Sequence, residues 1–211
     1  MTARVKPWQV LARSITYRDR WLTMRTDRCV TGDGREVPPY HVIEYPDWIN
    51  VVALTRDEQR LVLVREYRHG RGEVLLGLVS GTVEALDGED ANKAAEAAAR
   101  RELTEETGFR AGRMLRLLDA YPNPATQNNR VTSFLAFDLE SSGFPSLDPT
   151  EEIEVVIDDF EAVLARLLNG ELEMQAMHVA ALWQAAARIT RGDGIPESTA
   201  TLQKRLRAAF A

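Results

Sequence analysis

The chain has 211 residues, of which 45% are hydrophobic and 27% charged, and its formal net charge at pH 7 is −6. This composition is ordinary for a soluble globular protein built as one domain, or as one domain with an appendage. The negative charge argues against a general nucleic-acid-binding protein, which needs a basic surface, but not against a nucleotide substrate. The single cysteine, Cys29, excludes an intrachain disulfide and a cysteine-based zinc site. Neither a signal peptide nor a membrane span is visible, so we expect a cytoplasmic location.

Residues 1–47 are predicted to form an antiparallel β extension. The sequence of residues 8–30 is typical of β-strands, because apolar and polar side chains alternate along part of it. A Gly-Asp-Gly sequence at 32–34 indicates a hairpin turn. The return strand at 37–45 begins with two prolines, which confine its start to the edge of a sheet.

Two apolar runs, at 49–55 and 61–64, are predicted to be buried strands joined by a polar turn. Arg65 and Arg68 follow the second run directly. Because a guanidinium binds phosphate through two parallel hydrogen bonds, both are candidates for substrate binding. The alternative is that they are ordinary surface charges.

A long helix is predicted over residues 91–107, which contain neither Pro nor Gly and are rich in Ala, Glu, Arg and Leu. Asp90 suits the N-cap position and Gly108 a left-handed residue after the helix. Alanines and Leu103 along one side are expected to face the core.

Three carboxylates share another face of this helix. At about 100° per residue, Glu102, Glu105 and Glu106 fall within a sector of roughly 100°. One interpretation is a solvated acidic face whose repulsion is relieved by Arg100 and Arg101. The other is a site for hard divalent cations, which prefer oxygen ligands and offset the crowding of negative charge.

The end of this helix resembles the signature of the Nudix hydrolase superfamily, G-x5-E-x7-R-E-U-x-E-E-x-G-U, in which U is aliphatic or aromatic. The second half of the signature agrees at every fixed position, which favours the interpretation as a metal site. The matching residues are Arg101, Glu102, Leu103, Glu105, Glu106, Gly108 and Phe109.

The first half of the signature departs from the family. Gly81 would be the opening glycine, but it lies six residues too far from Arg101, and Lys93 stands where the family has Glu. Glu89 resembles the displaced Glu. We expect about two of the extra residues in the loop and about four in the helix, roughly one added turn. The catalytic turn would then keep its register, and a direct contact between Glu89 and Arg101 would be absent or replaced by one through Glu105.

The residues before the signature also differ from the family, which usually has Glu-Leu-Pro-Ala-Gly there. In this chain Gly77 replaces the Glu and Val79 replaces the Pro. In the family the residue before the signature glycine often gives a backbone carbonyl to a metal, which implies Ser80 here. The resemblance therefore implies Mg²⁺, with Mn²⁺ as a possible substitute, bound by Ser80, Glu102, Glu105 and Glu106.

The resemblance implies roles for further residues. Arg101 would pair with a signature carboxylate and hold its geometry, and Gly81 would lie against the substrate. In similar enzymes an Arg-x-Tyr-Arg segment lies beside the substrate, which implies Arg65 and Arg68. An acidic residue just before a late strand completes the metal site or acts as general base, and Glu151 and Glu152 match that place; on the residues alone they are a solvated turn.

Strands are predicted at 114–120 and 131–139, joined by a polar loop that is either a connector or a substrate loop. Amphipathic helices are predicted at 160–169 and 173–191, with Met177 among the apolar core residues and His178 structural. The tail at 196–211 gives only a weak helical pattern.

The resemblance implies an α/β fold, the Nudix α/β/α sandwich around a mixed sheet. The catalytic domain would cover 48–195, and the β extension at 1–47 resembles that of ADP-ribose pyrophosphatase-type enzymes, where it often forms a homodimer. The implied activity is hydrolysis of the pyrophosphate of a nucleoside diphosphate derivative, with ADP-ribose or a related nucleotide sugar as substrate. The alternatives are a dinucleotide or capped RNA end as substrate, and a non-catalytic module that senses a nucleotide sugar. Neither DNA nor a membrane is expected as a partner.

Overall fold

The computed structural model describes residues 5–57 and 59–209. Within this part of the chain, two compact units are formed. The smaller unit contains the residues up to Asp47 together with Tyr121–Arg130, and the larger contains Trp48–Ala120 together with the residues from Val131 onward.

The smaller unit is built on a three-stranded antiparallel sheet, so the predicted β extension is confirmed. Its strands are β1 (Gln9–Arg18), β2 (Thr23–Val30) and β3 (Glu36–Glu44), in that spatial order. All ten residues of β1 are exposed. Large apolar side chains of this unit are among those most open to solvent: Trp8, Val10, Leu11, Ile15, Tyr17 and Trp21.

The loop Tyr121–Arg130 belongs to this smaller unit, although the sequence analysis placed it within the catalytic domain. Its backbone explains the difference. The Ile43 N–H donates to the Thr126 carbonyl at 2.8 Å, and the Arg130 N–H donates to the Asp47 carboxylate at 2.8 Å. A polar loop that satisfies its hydrogen bonds against a distant strand leaves no local sequence signal.

The larger unit contains a seven-stranded mixed sheet. Five strands form the main path, in the order β10 (Ile153–Asp158), β5 (Leu61–Arg68), β4 (Trp48–Leu54), β9 (Val131–Ser141) and β8 (Phe109–Ala120). Two short strands lie off this path: β6 (Glu73–Gly77) pairs with β5, and β7 (Val79–Thr82) pairs with β4. Only the β4–β9 pairing is parallel.

Helices cover both faces of this sheet, which confirms the predicted α/β/α sandwich. One apolar cluster joins alternate strand residues to α1 (Ala91–Thr107). The other joins the opposite strand faces to α2 (Phe160–Leu168), α3 (Ala176–Arg191) and α4 (Ala200–Ala209). Strand β4 shows the alternation expected of a strand: Ile49 and Val51 pack toward α1, and Val52 packs toward α3.

The ends of α1 lie where the sequence predicts them. The Asp90 carboxylate accepts hydrogen bonds from the Asn92 and Lys93 N–H groups at 3.1 and 3.0 Å, which satisfies two free donors of the first turn. Gly108 ends the helix in the left-handed conformation, with φ of 69°. The helix therefore begins before Lys93, as the predicted added turn requires.

The C-terminal segment is part of the core and not a marginal tail. A short 3₁₀ turn at Glu197–Thr199 leads into α4, and the side chains of Leu202 and Leu206 are fully buried against α2 and α3. The weak sequence pattern reflects a helix in which Leu202 and Leu206 are the two large apolar residues among the described positions. None of the helices formed by the described residues is both long and apolar enough to cross a bilayer.

We predict that Leu206→Ala destabilises the protein by about 2–5 kcal/mol, because it removes a fully buried side chain from a core shared by three helices. The free energy of unfolding in urea measures the effect. Lys204→Ala, at an exposed position of the same helix, is the control and should change stability by less than about 0.5 kcal/mol. An equal, small effect of both substitutions would show that α4 is not part of the core.

Candidate active site

A cleft of about 260 Å³ lies in the larger unit beside the start of β4, the end of β5, strand β7 and the first turn of α3. It is smaller than the roughly 300–1,000 Å³ of most complete ligand pockets. Its lining combines a guanidinium, two hydroxyls, an amide, a thioether and an indole. The lining residues are Trp48, Ile49, Arg68, Ser80, Gly81, Thr82, Gln175 and Met177.

Glu106 is a buried carboxylate near the C-terminal end of α1. Glu106 is only 6% exposed, and its Oε2 has no hydrogen-bond partner among the described residues. Burial is the main cause that raises the pKa of Glu106 to about 8, and the charges of Glu102 and Glu151 raise it further. A hydrogen bond from the Ser80 N–H and the charge of Arg68 oppose these effects.

Glu102 lies one helical turn before Glu106 and is also largely buried. Burial raises the pKa of Glu102 to about 7 against the opposing effect of Arg101, and the charges of Glu105 and Glu151 add to the increase. A Cβ atom at Gly81 would lie 2.1 Å from Oε1 and 2.2 Å from Cδ of Glu102. The signature glycine is therefore needed so that this carboxylate can lie directly against the backbone of β7.

Arg101 ties the carboxylates together. Its Nη1 donates to Glu102 Oε1 at 2.9 Å and to Glu105 Oε2 at 3.0 Å, and its Nη2 donates to the Thr82 carbonyl at 3.1 Å. Burial acts to lower the pKa of Arg101, but the hydrogen bond to Asp87 and the charges of Glu102 and its other partners outweigh it and raise the pKa. This arrangement confirms the predicted contact through Glu105.

Asp87 was missed by the sequence analysis. Its carboxylate is 2% exposed and accepts from Arg101 Nε at 3.2 Å and Nη2 at 3.3 Å. Asp87 lies six positions after Gly81, which is the spacing of the signature with Asp in place of Glu. The assignment of that place to Glu89, which is exposed, is therefore corrected, and all the extra length lies between Asp87 and Arg101. Counting forward from Gly81, instead of backward from Arg101, gives the right residue.

The two acidic residues before β10 differ in their surroundings. Glu151 is exposed, yet its charge raises the pKa of both Glu102 and Glu106, and its Oε2 accepts from the Asp148 N–H at 3.0 Å. Glu152 is exposed on the same turn. The structure therefore places Glu151 where it acts electrostatically on the buried carboxylates.

The two arginines of β5 that the sequence singles out, Arg65 and Arg68, also have different surroundings. Arg68 lines the cleft, forms an ion pair with Glu66, and donates from Nη2 to Ser80 Oγ at 3.4 Å. Arg65 points elsewhere, since its Nη1 donates to Glu154 of β10 at 2.6 Å. Residues three apart on a strand lie on opposite faces, so only one of the two reaches the cleft.

The residues fit a divalent cation at Glu102 and Glu106. No three His, Cys, Asp or Glu side chains within the described ranges form a complete metal-binding group, and Arg101 binds two of the three predicted carboxylates. Glu105 is the more exposed of these, at 41% of its side chain. Two buried carboxylates with raised pKa values, one with a free oxygen, are a donor set that a hard cation stabilises.

Two protein families match parts of this chain. The family described as "NUDIX domain" matches residues 45–177. The chain belongs to the Nudix family. A second family, described as "Nucleoside diphosphate sugar hydrolase N-terminal domain", matches residues 8–43. The recognition of this Nudix chain as a Nudix hydrolase, made from the second half of its signature, is confirmed.

Similar proteins with curated names have moderate identity to this Nudix chain. An ADP-ribose pyrophosphatase of Bacillus subtilis is 28% identical over 132 residues, covering 62% of this chain and 68% of the relative. A GDP-mannose pyrophosphatase of Klebsiella pneumoniae is 29% identical over 172 residues, covering 78% and 79%. The crystal structure of an ADP compounds hydrolase has the same fold, with a TM-score of 0.74, 22% identity, and coverage of 91% of this chain and 99% of that one.

We predict that Glu106→Gln changes how the stability of this Nudix chain depends on pH. The pKa of Glu106 is about 8 in the folded state, against an ordinary value of 4.5. Glu106 therefore keeps its proton to a higher pH in the folded protein than in the unfolded chain. Wild-type stability should therefore fall as the pH rises through this interval, and a neutral Gln removes that loss.

The variant should be more stable than wild type by on the order of 1–3 kcal/mol at pH 9, and about equal to it at pH 4.5. Urea unfolding in a chelator at both pH values measures the difference. Glu105→Gln is the matched control, because that carboxylate is more exposed and paired with Arg101. A stability difference that does not vary with pH would refute the buried, protonated state of Glu106.

Proposed function

We propose that the protein hydrolyses the pyrophosphate bond of a nucleoside diphosphate linked to another group, with a divalent cation, and that ADP-ribose or a related nucleotide sugar such as GDP-mannose is the substrate. The observation that carries this proposal is the pair of buried carboxylates, Glu102 and Glu106, which lie against Gly81 and Ser80. Gly81 and Ser80 line the cleft together with Arg68. The similar proteins include an ADP-ribose pyrophosphatase and a GDP-mannose pyrophosphatase, and these names support the substrate class.

Glu102 and Glu106 are the residues that would hold Mg²⁺ or Mn²⁺, with the Ser80 carbonyl as a further ligand. The cation supplies neutralisation of phosphate charge and activation of a water. Arg68 binds a phosphate oxygen, since its guanidinium lines the cleft and is already held beside Ser80. Arg101 acts one step away, because it keeps Glu102 and Glu105 in place while Asp87 fixes its own position.

Glu151 is the residue we assign as general base. It is exposed, so it can exchange a proton with solvent, and it lies near enough to both buried carboxylates to alter their pKa values. Water adds to one phosphorus atom and the bridging P–O bond breaks, so ADP-ribose gives AMP and ribose 5-phosphate. Glu152 and Arg65 are left without a role in this scheme.

We predict metal-dependent hydrolysis of at least one nucleotide sugar. A screen should compare ADP-ribose, GDP-mannose, a dinucleotide and a capped RNA end, each with Mg²⁺, with Mn²⁺ and with excess chelator, and should identify the products. Glu106→Gln should lower kcat by at least about a hundredfold while the fold persists, because it removes a ligand charge at nearly constant volume.

Full activity in excess chelator would contradict this assignment, and so would near-wild-type turnover of the variant. Preferred hydrolysis of the dinucleotide or the capped RNA end would move the substrate to another class within the same chemistry. Tight binding of a nucleotide sugar without any turnover would favour the alternative of a sensing module.

We further propose that the protein forms a homodimer through its N-terminal sheet. The cytoplasmic location expected from the sequence stays a separate prediction. Strand β1 is exposed along its whole length and includes exposed Leu11, Ile15 and Tyr17. A monomer leaves an apolar edge strand of this kind open to pairing with another chain.

Light scattering at micromolar concentration should therefore give twice the chain mass of 23.7 kDa. Ile15→Asp should shift the protein toward the monomer. Ser14→Asp, the adjacent exposed position on the opposite face of β1, tests whether any added charge has the same effect. A monomeric wild-type mass would overturn the proposal.

A further inference from the structure

His178 of α3 is a buried residue with one satisfied and one unsatisfied ring nitrogen. It is 1% exposed. Its Nδ1 accepts a hydrogen bond from the Leu78 N–H at 3.2 Å, so Nδ1 carries no proton. The proton of the neutral ring then lies on Nε2, which has no hydrogen-bond partner among the described residues. Burial, and then the charge of Arg68, lower the pKa of His178 to about 3, so the ring is neutral at physiological pH.

Gly77 makes room for this ring. A Cβ atom at position 77 would lie 3.0 Å from Nδ1 and 3.1 Å from Cε1 of His178, which is closer than ordinary contact. The glycine therefore allows α3 to bring an imidazole against the backbone between β6 and β7. This segment continues directly to Ser80 and Gly81 in the cleft.

A small cavity lies beside the ring. It has a volume of about 10 Å³ and is bounded by Glu66, Arg68, Gln175 and His178 together with apolar side chains. This is close to the smallest volume that holds one water molecule. Arg68 and Gln175 also line the main cleft, so the cavity and the cleft share a wall.

Glu66 provides the acceptor that matches the free donor. Its Oε1 forms an ion pair with Arg68 Nη2 and is buried, with no hydrogen-bond partner counted among the described residues, and a carboxylate oxygen can accept a further hydrogen bond beside its ion pair. A donor on His178 and an acceptor on Glu66 thus border the same cavity. Leaving the Nε2–H of His178 unsatisfied would be costly, whereas one water can accept a hydrogen bond from it and donate one to Glu66.

We infer that His178 is a positioning residue that holds Arg68 in the cleft, acting from its Nε2–H through one buried water to Glu66. The order of contacts is His178, water, Glu66 and Arg68. A hydrogen bond from this water would fix the carboxylate of Glu66 at one end, and the ion pair would then fix the guanidinium of Arg68. The effect on substrate binding rests on the function proposed above, but the arrangement itself does not.

The first test concerns the arrangement and needs no substrate. The chain has three histidines, so ¹⁵N NMR of the wild type and of His178→Phe assigns the ring of His178. We expect an unprotonated Nδ1 and a protonated Nε2 at pH 7. A crystal structure should show a water within hydrogen-bonding distance of both His178 Nε2 and Glu66. A proton on Nδ1, or a dry cavity, would overturn the inference.

The second test separates the two ring nitrogens. In His178→Asn the amide oxygen can replace Nδ1 as acceptor for the Leu78 N–H, but nothing replaces Nε2. In His178→Phe both bonds are lost at similar volume. We expect the Nε–H signal of Arg68 to shift or broaden in both variants. Ile189→Val, which trims a fully buried side chain elsewhere on α3, is the control for lost packing and should leave that signal unchanged.

Kinetics with Mg²⁺ and whichever of ADP-ribose and GDP-mannose is hydrolysed give the functional result. Both His178 variants should raise KM about tenfold and change kcat less than about twofold, because Arg68 binds the ground state and the transition state alike. Wild-type KM and an unchanged Arg68 signal in His178→Asn would show that only the bond to Leu78 matters, which would overturn the inference. If neither nucleotide is hydrolysed, the proposed function fails, and the Arg68 signal alone decides on His178.

Discussion

The burial of two like charges at the end of α1 is the constraint on which the rest of the site depends. Glu102 and Glu106 lie one helical turn apart, burial raises the pKa of both, and the charge of Glu102 raises the pKa of Glu106 further. Such a pair persists only where the surroundings supply opposite charge or donors. The chain supplies one guanidinium from the same helix, one backbone N–H from β7, and a second guanidinium from β5. The cation proposed for the site completes the same compensation.

Two glycines let helices from opposite faces of the sheet reach the segment that leads into the signature. Gly81 accepts the approach of Glu102 from α1, and Gly77 accepts the approach of His178 from α3. The segment between them is consequently held from both sides, by the Ser80 N–H bond to Glu106 and by the Leu78 N–H bond to His178. Because the same few residues line the cleft, a change at either glycine would move the floor of the site rather than one side chain.

The sequence predicts the parts of the site whose spacing is set by a single helix. The caps at Asp90 and Gly108 and the register of Glu102 and Glu106 follow from local propensity and the 3.6-residue period. It predicts less well what depends on contacts between elements. The spacing of Arg65 and Arg68 places them on opposite faces of β5, but only the contact of Arg65 with Glu154 of β10 shows which of them turns away from the cleft. Met177 has the pattern of a core residue, yet it lies in the first turn of α3 and lines the cleft.

The extra length between Asp87 and Arg101 shows why the departure from the signature is tolerated. From Ala91 to Arg101 the helix rises about 15 Å at 1.5 Å per residue, whereas the four steps from Asp87 to Ala91 can span at most about 13–14 Å. The contact between Asp87 and Arg101 therefore needs an extended connection and a long side chain. Gly88 supplies the first with φ of 121°, a conformation that residues with a Cβ rarely adopt. The arginine supplies the second and bonds Asp87, Glu102 and Glu105 at once. A lysine of similar reach has a single charged nitrogen and cannot present the same planar fork. The lengthened signature is thus compatible with the site because the extra turn is added on the N-terminal side of Arg101. Arg101 joins the loop to the carboxylates, and the helix after it keeps its register.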